Sequence, residues 1–136
     1  MEDTVIKRAC IIDDDKLYVS LIRMLIKKNR LAEDLLIFEN GQDAFEFFKE
    51  ELTKKEPHLP QVILLDLNMP VMNGWEFLDA VKPFAGQLQA KINVVSSTIN
   101  PVEINKVKKY DFVSTFITKP INKEAIVRAF TLEVSP

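Results

Sequence analysis

The chain has 136 residues, of which 47% are hydrophobic and 28% charged, and its formal net charge is −2. This length predicts one domain with a core that needs neither disulfides nor a structural metal. The balanced charge gives no electrostatic reason to expect nucleic acid or an anionic membrane as a partner. No apolar run approaches the ~20 residues of a membrane span, and Met1–Lys7 has no signal pattern, so we expect a cytoplasmic protein.

Short apolar runs, separated by amphipathic segments, predict five strands. The runs are Val5–Ile12, Leu35–Phe38, Val62–Leu65, Ile92–Val95 and Val113–Ile117. Such short runs are typical of central strands that are covered on both faces. The lone cysteine, Cys10, lies in the first run, and we expect it to be a small buried residue.

The segments between the runs predict five helices. Their proposed core-facing residues are Leu17, Leu21, Met24 and Leu25, then Ala44, Phe48 and Leu52, then Phe77 and Val81, and finally Ala125, Ile126, Ala129 and Phe130, with a weaker pattern in Pro101–Tyr110. Asparagine is among the best N-cap residues, and Asn40, Asn73, Asn100 and Asn122 stand where four helices should begin. We expect Asp15 to cap the first helix and Gly74 to meet a backbone or packing requirement.

Strands that alternate with helices predict an α/β fold. The chain reads as (βα)5, a doubly wound, five-stranded parallel sheet with helices on both faces. The ligand site of such a sheet lies beyond the carboxyl ends of its strands. That edge is therefore where chemistry-bearing side chains are expected.

Polar residues follow four of the predicted strands at this edge. They are Asp13–Asp15, Asp66, Ser96–Thr98 and Lys119-Pro120. Two unit charges ~4 Å apart repel by about 4 kcal/mol at an effective dielectric of ~20, so carboxylates gathered there need a proton or a cation. Asp13, Asp14 and Asp66 suit a hard cation with oxygen ligands, and Mg²⁺ is favoured because it keeps waters and phosphate oxygens as ligands.

Such a site is suited to phosphoryl transfer. A carboxylate such as that of Asp66 can act as a nucleophile and form an acyl phosphate. Charge on the phosphoryl oxygens would be stabilised by the magnesium ion, by the ammonium group of Lys119 and by the hydroxyl group of Ser96.

These residues stand in the pattern of a known family. From about Val5 to Glu133 the sequence resembles the response-regulator receiver domain of two-component signalling, the fold of the bacterial chemotaxis regulator. The motifs are Ile11-Ile12-Asp13-Asp14-Asp15, Leu65-Asp66-Leu67-Asn68-Met69-Pro70 followed by Asn73-Gly74, Val95-Ser96-Ser97 and Lys119-Pro120. Each motif is weak alone, but together, in order and each at a strand end, they are specific. The resemblance implies a flavodoxin-like sheet with strand order 2-1-3-4-5.

The resemblance also implies how the phosphoryl and metal sites are built. Asp66 is the expected phosphoacceptor. Asp14 and Asp66 are expected to bind Mg²⁺ directly, with Asp13 acting close by or through water. The backbone carbonyl of Asn68 is the expected third protein ligand. Lys119 is expected to pair with the phosphate.

Further roles are implied for the switch. Ser96 is expected to move its hydroxyl group onto a phosphoryl oxygen. Phe116 is the expected aromatic switch residue, whose ring rotates as the Ser96 hydroxyl moves. Asn68 and Thr98 stand at positions that tune dephosphorylation. Pro120 follows Lys119 in a peptide bond that is often cis in the family. Tyr110-Asp111-Phe112 stands where many members have Gly-Ala. The resemblance therefore does not predict the shape of the surface that the fourth helix and fifth strand form.

The implied function is a phosphorylation switch and not an enzyme acting on a separate substrate. The phosphodonor is expected to be a sensor histidine kinase or a histidine phosphotransfer protein, and the signal is expected to pass to a protein partner. A monomer or weak dimer is expected. Because the sequence given stops at Pro136, shortly after the last helical pattern, we expect residues 1–136 to form a single receiver domain with no output domain.

Three alternatives remain open from the sequence. An aspartate-nucleophile phosphohydrolase would usually have a second acid two residues after Asp66, where this chain has Asn68. A flavin-binding protein of similar topology would need a phosphate-cradling loop after the first strand, where Asp13–Asp15 would repel a phosphate. A degenerate receiver would serve only as an interaction module, and a phosphorylation assay separates it from an active one.

Overall fold

Strands and helices alternate along the chain in the computed structural model, which describes residues 6–69, 71–98 and 100–132. The strands are β1 (Ile6–Ile12), β2 (Ala32–Phe38), β3 (Val62–Asp66), β4 (Lys91–Ser96) and β5 (Val113–Thr118). The helices are α1 (Lys16–Lys28), α2 (Gly41–Glu51), α3 (Gly74–Val81), α4 (Pro101–Val107) and α5 (Lys123–Ala129), and α3 is extended by a 3-10 turn (Lys82–Phe84) and a short helical turn (Ala85–Leu88). The predicted (βα)5 order is confirmed, while the predicted strand start at Val5 lies outside the described residues.

The five strands form one parallel sheet in the order β2-β1-β3-β4-β5, as the resemblance implied. Every residue of β3 is buried, because the strand lies at the centre of the sheet with helices on both faces. The edge strand β2 begins at Ala32, three residues before the predicted run, because an edge strand accommodates the exposed residues Glu33 and Asp34.

Successive side chains along a strand point to opposite faces of the sheet, and each face has its own hydrophobic cluster. Cys10, Leu65 and Phe77 lie in one cluster, and Ile11 and Ile126 lie in the other. The prediction that Cys10 is buried is confirmed, since its side chain is fully enclosed. The core-facing residues proposed for the second, third and fifth helices lie in these clusters, apart from the half-buried Leu52.

The predicted buried face of the first helix is wrong for three of its four residues, since only Leu25 is half-buried and packs against the core. Val19, Ile22 and Ile26 are the buried residues of α1. In contrast, Leu17 is 82% exposed and Met24 is 58% exposed, and Leu21 is exposed as well. Helix α1 carries two apolar stripes, both with helical spacing, and only packing on the sheet decides which of the two is covered.

The predicted N-caps are all confirmed. The side chains of Asn40, Asn73, Asn100 and Asn122 each accept a hydrogen bond from a backbone N–H in the first turn, and the carboxylate of Asp15 accepts one from Tyr18 N–H. Asn73 and Glu76 form a complete capping box. None of the helices in the described parts of the chain has the length and apolarity that a membrane span requires.

Candidate functional site

Three carboxylates converge where β1 and β3 end. The register pairs Ile12 with Leu65, so the acids that follow them leave neighbouring strands side by side. One carboxylate oxygen from each of Asp13, Asp14 and Asp66 lies within 4.8 Å of the others. Asp13 is 2% exposed and Asp66 is 6% exposed, whereas Asp14 is open to solvent. The predicted meeting of acids at this edge is therefore present in the structure.

The backbone fixes the direction of Asp13. Its N–H donates a hydrogen bond of 3.0 Å to the carbonyl oxygen of Phe38, at the end of the adjoining strand β2. Its Oδ1 accepts one of 3.0 Å from Asp15 N–H. Asp15 in turn caps α1, so the start of that helix and the buried carboxylate are one hydrogen-bonded unit.

Lys119 lies between the two buried acids. Its Nζ is 3.0 Å from Oδ2 of Asp13 and 3.7 Å from Oδ1 of Asp66. Its backbone N–H donates a hydrogen bond of 2.8 Å to the carbonyl oxygen of Ser96, and the peptide bond from Lys119 to Pro120 is cis. Among the described residues, this is the one side-chain cation within 4.0 Å of either acid.

Ser96 is the last residue of β4, the strand beside β3. It follows Val95, the register partner of Asp66, and its side chain is buried. Its hydroxyl oxygen accepts a hydrogen bond of 3.2 Å from Thr98 N–H, which links it to the loop before α4. Phe116 is half-buried on β5, opposite Val94.

Burial dominates the electrostatics of the acids. It raises the pKa of Asp66 to about 6, and repulsion from Asp13 adds to the rise, while Lys119 and the N–H of Asn68 oppose it. Burial also raises the pKa of Asp13, against the N–H of Asp15 and the Lys119 ammonium. Two buried carboxylates thus share one ammonium group, and a third carboxylate lies beside them.

This arrangement fits a divalent cation bound by oxygen atoms. The donor set is three carboxylates whose mutual repulsion is incompletely compensated, and Mg²⁺ prefers such ligands. Asp13, Asp14 and Asp66 are the residues that would hold the ion. Asn68 is exposed two residues after Asp66, and its backbone carbonyl as a ligand stays a prediction.

Gly74 allows α3 to begin in close contact with the backbone that follows β3. A Cβ atom at this position would lie 2.7 Å from the Cα atom of Leu67 and closer still to the carbonyl oxygen of Asp66. The Gly74 N–H donates a hydrogen bond of 3.0 Å to the carbonyl oxygen of Leu67. The expectation of a packing requirement at Gly74 is confirmed, because α3 begins in direct contact with the backbone of the proposed phosphoacceptor.

Sequence reasoning missed Tyr18. Its ring lies against Lys119, with Nζ 4.3 Å from the ring centroid. The available signal was its position three residues after the N-cap Asp15, in the first turn of a helix that starts at the site. This position predicts that Tyr18 lies near the site, but it does not predict the contact with Lys119, which is distant in the sequence.

The comparisons with known proteins agree with this geometry. The family model for the response regulator receiver domain matches residues 9–131. The chemotaxis protein CheY of Halobacterium salinarum is 27% identical over 127 residues, which cover 92% of this chain and 94% of CheY. The match to the hybrid signal transduction histidine kinase I of Dictyostelium discoideum is 24% identical and spans 94% of this chain but only 7% of the kinase.

Solved structures share the fold. A two component response regulator from Cytophaga hutchinsonii superposes with a TM-score of 0.81 at 25% identity, over 93% of this chain and 96% of that one. The phosphorylated cyanobacterial phytochrome response regulator RcpA gives a TM-score of 0.70 at 25% identity, over 93% and 89% of the two chains. Since the family model also covers most of the sequence, the chain belongs to the response regulator receiver domain family.

Proposed function

We propose that this receiver domain accepts a phosphoryl group on Asp66 in a magnesium-dependent reaction and passes the signal to a protein partner. The single observation that carries the proposal is the convergence of the carboxylates of Asp13, Asp14 and Asp66, two of which, Asp13 and Asp66, lie beside the ammonium group of Lys119. A receiver that served only as an interaction module would have no need to hold two carboxylates in a buried, mutually repelling pair.

The chemistry follows from the residues in place. A carboxylate oxygen of Asp66 attacks the phosphorus of a phosphohistidine, the new O–P bond forms, the N–P bond breaks and the histidine nitrogen takes up a proton. Bound magnesium would supply positive charge beside the phosphoryl oxygens. Lys119 pairs with one of these oxygens, and the hydroxyl group of Ser96 donates to another.

The switch follows from the same contacts. In the structure, the hydroxyl oxygen of Ser96 accepts a hydrogen bond from Thr98 N–H. A new hydrogen bond to a phosphoryl oxygen reorients this hydroxyl group and thereby pulls on the loop that leads into α4. Phe116 on β5 rotates into the space that this movement opens, and the surface of α4 and β5 changes shape. Thr98 and Asn68 flank the phosphoryl group and tune its hydrolysis.

The partners follow from this chemistry. The phosphodonor is a sensor histidine kinase or a histidine phosphotransfer protein, and the receiver acts with it in the cytoplasm as a monomer or weak dimer. The phosphorylated state of the relative RcpA supports a phosphoacceptor role. The chain catalyses only its own phosphorylation and dephosphorylation.

Mass spectrometry after incubation with acetyl phosphate and Mg²⁺ tests the proposal. We expect the wild-type chain to gain the mass of one phosphoryl group and Asp66→Asn to gain none. Asp111→Asn is the matched control, because Asp111 is an exposed aspartate of the loop before β5. An unmodified wild-type chain, or an equal mass gain in Asp66→Asn, contradicts the proposal.

A further inference from the structure

The ammonium group of Lys119 contacts an aromatic ring as well as the two buried carboxylates. Tyr18 is half-buried in the first turn of α1 and packs against the hydrophobic cluster that contains Val19 and Ile121. Its ring centroid is 4.3 Å from Nζ of Lys119, within the range of a cation–π interaction. The same Nζ is 3.0 Å from Oδ2 of Asp13.

We infer that Tyr18 is a positioning residue for phosphoryl transfer, whose ring face holds the Lys119 ammonium at the edge of the site, where an incoming phosphoryl group meets it. The inference rests on the proposed function at Asp66. It assigns a task to a residue that lies outside the acids, the hydroxyl group and the lysine described above.

The acids alone hold the lysine only while they are charged and uncompensated. A lysine side chain has four flexible methylene groups and loses about 2 kcal/mol of rotamer freedom when it is fixed. Any divalent cation bound by Asp13, Asp14 and Asp66 weakens their attraction for the ammonium and repels it. The ring of Tyr18 has no net charge, so its attraction for the ammonium persists in that state.

The ring of Tyr18, and not its hydroxyl group, contacts the lysine. The Tyr18 hydroxyl is buried and has no hydrogen-bond partner among the residues that the structure describes. It therefore makes no hydrogen bond to Asp13, Asp66 or Lys119. Phenylalanine should replace tyrosine without loss, whereas leucine, which keeps a buried side chain but no π face, should not.

The spectroscopic test needs neither metal nor phosphate. The ε-methylene group of Lys119 is bonded to Nζ, which lies over the Tyr18 ring at 4.3 Å from its centroid, so we expect ring currents to shift the ε-proton NMR signals upfield in the metal-free protein. We expect this shift in the wild type and in Tyr18→Phe, and a normal lysine position in Tyr18→Leu. The wild-type spectrum decides even where the leucine variant fails to fold, and an unshifted Lys119 signal there overturns the inference.

The kinetic test measures the rate of phosphate incorporation from acetyl phosphate with Mg²⁺. Loss of a cation–π contact corresponds to a fall of about 2- to 30-fold for Tyr18→Leu, with Tyr18→Phe within about twofold of wild type. Phe45→Leu is the matched control, because Nζ of Lys49 lies 6.0 Å from the Phe45 ring centroid on α2, away from the site. Its rate should equal that of the wild type.

The two proposals fail in different ways. A wild-type chain that takes up no phosphate removes the proposed function, and the NMR shift then still decides where the ammonium lies. Phosphorylation of folded Tyr18→Leu at the wild-type rate, with wild type active, overturns the inference alone. A Tyr18→Phe variant as slow as Tyr18→Leu also overturns it, because the hydroxyl group and not the ring would then be responsible.

Discussion

The charge balance at Asp66 depends on individual side chains. Asp13 and Asp66 are both buried, and the Lys119 ammonium lies closer to Asp13 than to Asp66. Burial and then repulsion from Asp13 raise the pKa of Asp66 to about 6, and the more distant Lys119 ammonium offsets this rise only in part. A nucleophilic carboxylate that is incompletely compensated in the resting protein gains more from added positive charge than a solvated one would.

This pKa predicts how stability depends on pH in the metal-free protein. The ordinary value is 3.8, so between about pH 4 and 6 the folded chain binds more protons at Asp66 than the unfolded chain does. The stability that proton binding contributes is present below about pH 4 and is lost as the pH rises through 6. We expect Asp66→Asn to be more stable than wild type at pH 7 by up to about 3 kcal/mol, and the difference to shrink towards pH 4.

Urea unfolding in the presence of a chelator, repeated across this pH range, measures the difference. Asp111→Asn serves as the control, since that aspartate is exposed, and its stability profile should run parallel to that of the wild type. Parallel profiles for wild type and Asp66→Asn would show that Asp66 keeps an ordinary pKa in the folded chain.

At the level of elements, the start of α3 packs directly on the backbone of Asp66 and Leu67. At Gly74 there is no room for a Cβ atom between the helix and the backbone of Asp66 and Leu67. The Asn73–Glu76 capping box holds this helix end in place. The close contact therefore requires glycine for space, and no positive φ is involved.

Substitution of Gly74 by alanine should displace the helix from the strand end. Overpacking of this kind costs about 1–3 kcal/mol, and we expect Gly74→Ala to be destabilised by that amount and to take up phosphate more slowly. Thermal unfolding and phosphate incorporation are the two measurements. Gly86→Ala is the matched control, because a Cβ atom there meets nothing within 4 Å. That variant should keep the wild-type rate and be as stable as the wild type or more stable by up to about 1 kcal/mol, because alanine is the better helix former.

A second contact between elements joins α3 to α4 and to the loop that precedes β5. Nζ of Lys106 lies 4.3 Å from the ring centroid of Trp75, and that ring packs against Tyr110. The Tyr110 hydroxyl donates a hydrogen bond of 2.8 Å to Asp79, and burial raises its pKa to about 12. The tyrosine that stands where many receivers have Gly-Ala thus fastens the end of α4 to α3.

Trp75 should report movement of α4, because it is the chain's single tryptophan and is half-buried under Lys106. If phosphorylation draws α4 away from α3, the indole ring becomes more hydrated, and we expect its emission maximum to shift to longer wavelength. Steady-state fluorescence after addition of acetyl phosphate and Mg²⁺ measures the shift. Asp66→Asn should show none, and an unchanged spectrum in a fully phosphorylated wild type would place the moving surface elsewhere.

At the scale of the whole molecule, the site lies where strands from different parts of the sequence end. A ligand that binds only the folded arrangement stabilises the entire domain, by about 2.7 kcal/mol at 100 times its dissociation constant. We expect Mg²⁺ to raise the melting temperature of the wild type and to do so much less for Asp14→Asn. Asp14 is exposed, so its replacement removes a proposed metal ligand without opening the core.

Calorimetry with Mg²⁺ and with a chelator gives both melting temperatures. Asp111→Asn should keep the full magnesium effect. Equal melting temperatures for the wild type under the two conditions would argue against a magnesium site at the three carboxylates.

The sequence by itself determined the order of elements and the edge at which the site lies. Wholly apolar runs such as Val62–Leu65 identify central strands, and Asn40, Asn73, Asn100 and Asn122 mark helix starts, because both signals are local. The acids after β1 and β3 could be grouped because parallel strands end at the same edge of a sheet.

The tertiary structure alone decided which surfaces and side chains meet. Helix α1 has two apolar stripes of equal periodicity, and the sheet covers the one that contains Ile22. The contact of Tyr18 with Lys119 joins the first helix to the end of the last strand, and Gly74 meets the backbone of Asp66. Periodicity records which residues share a face, but contacts between distant segments depend on how the elements pack, and local sequence carries no record of that.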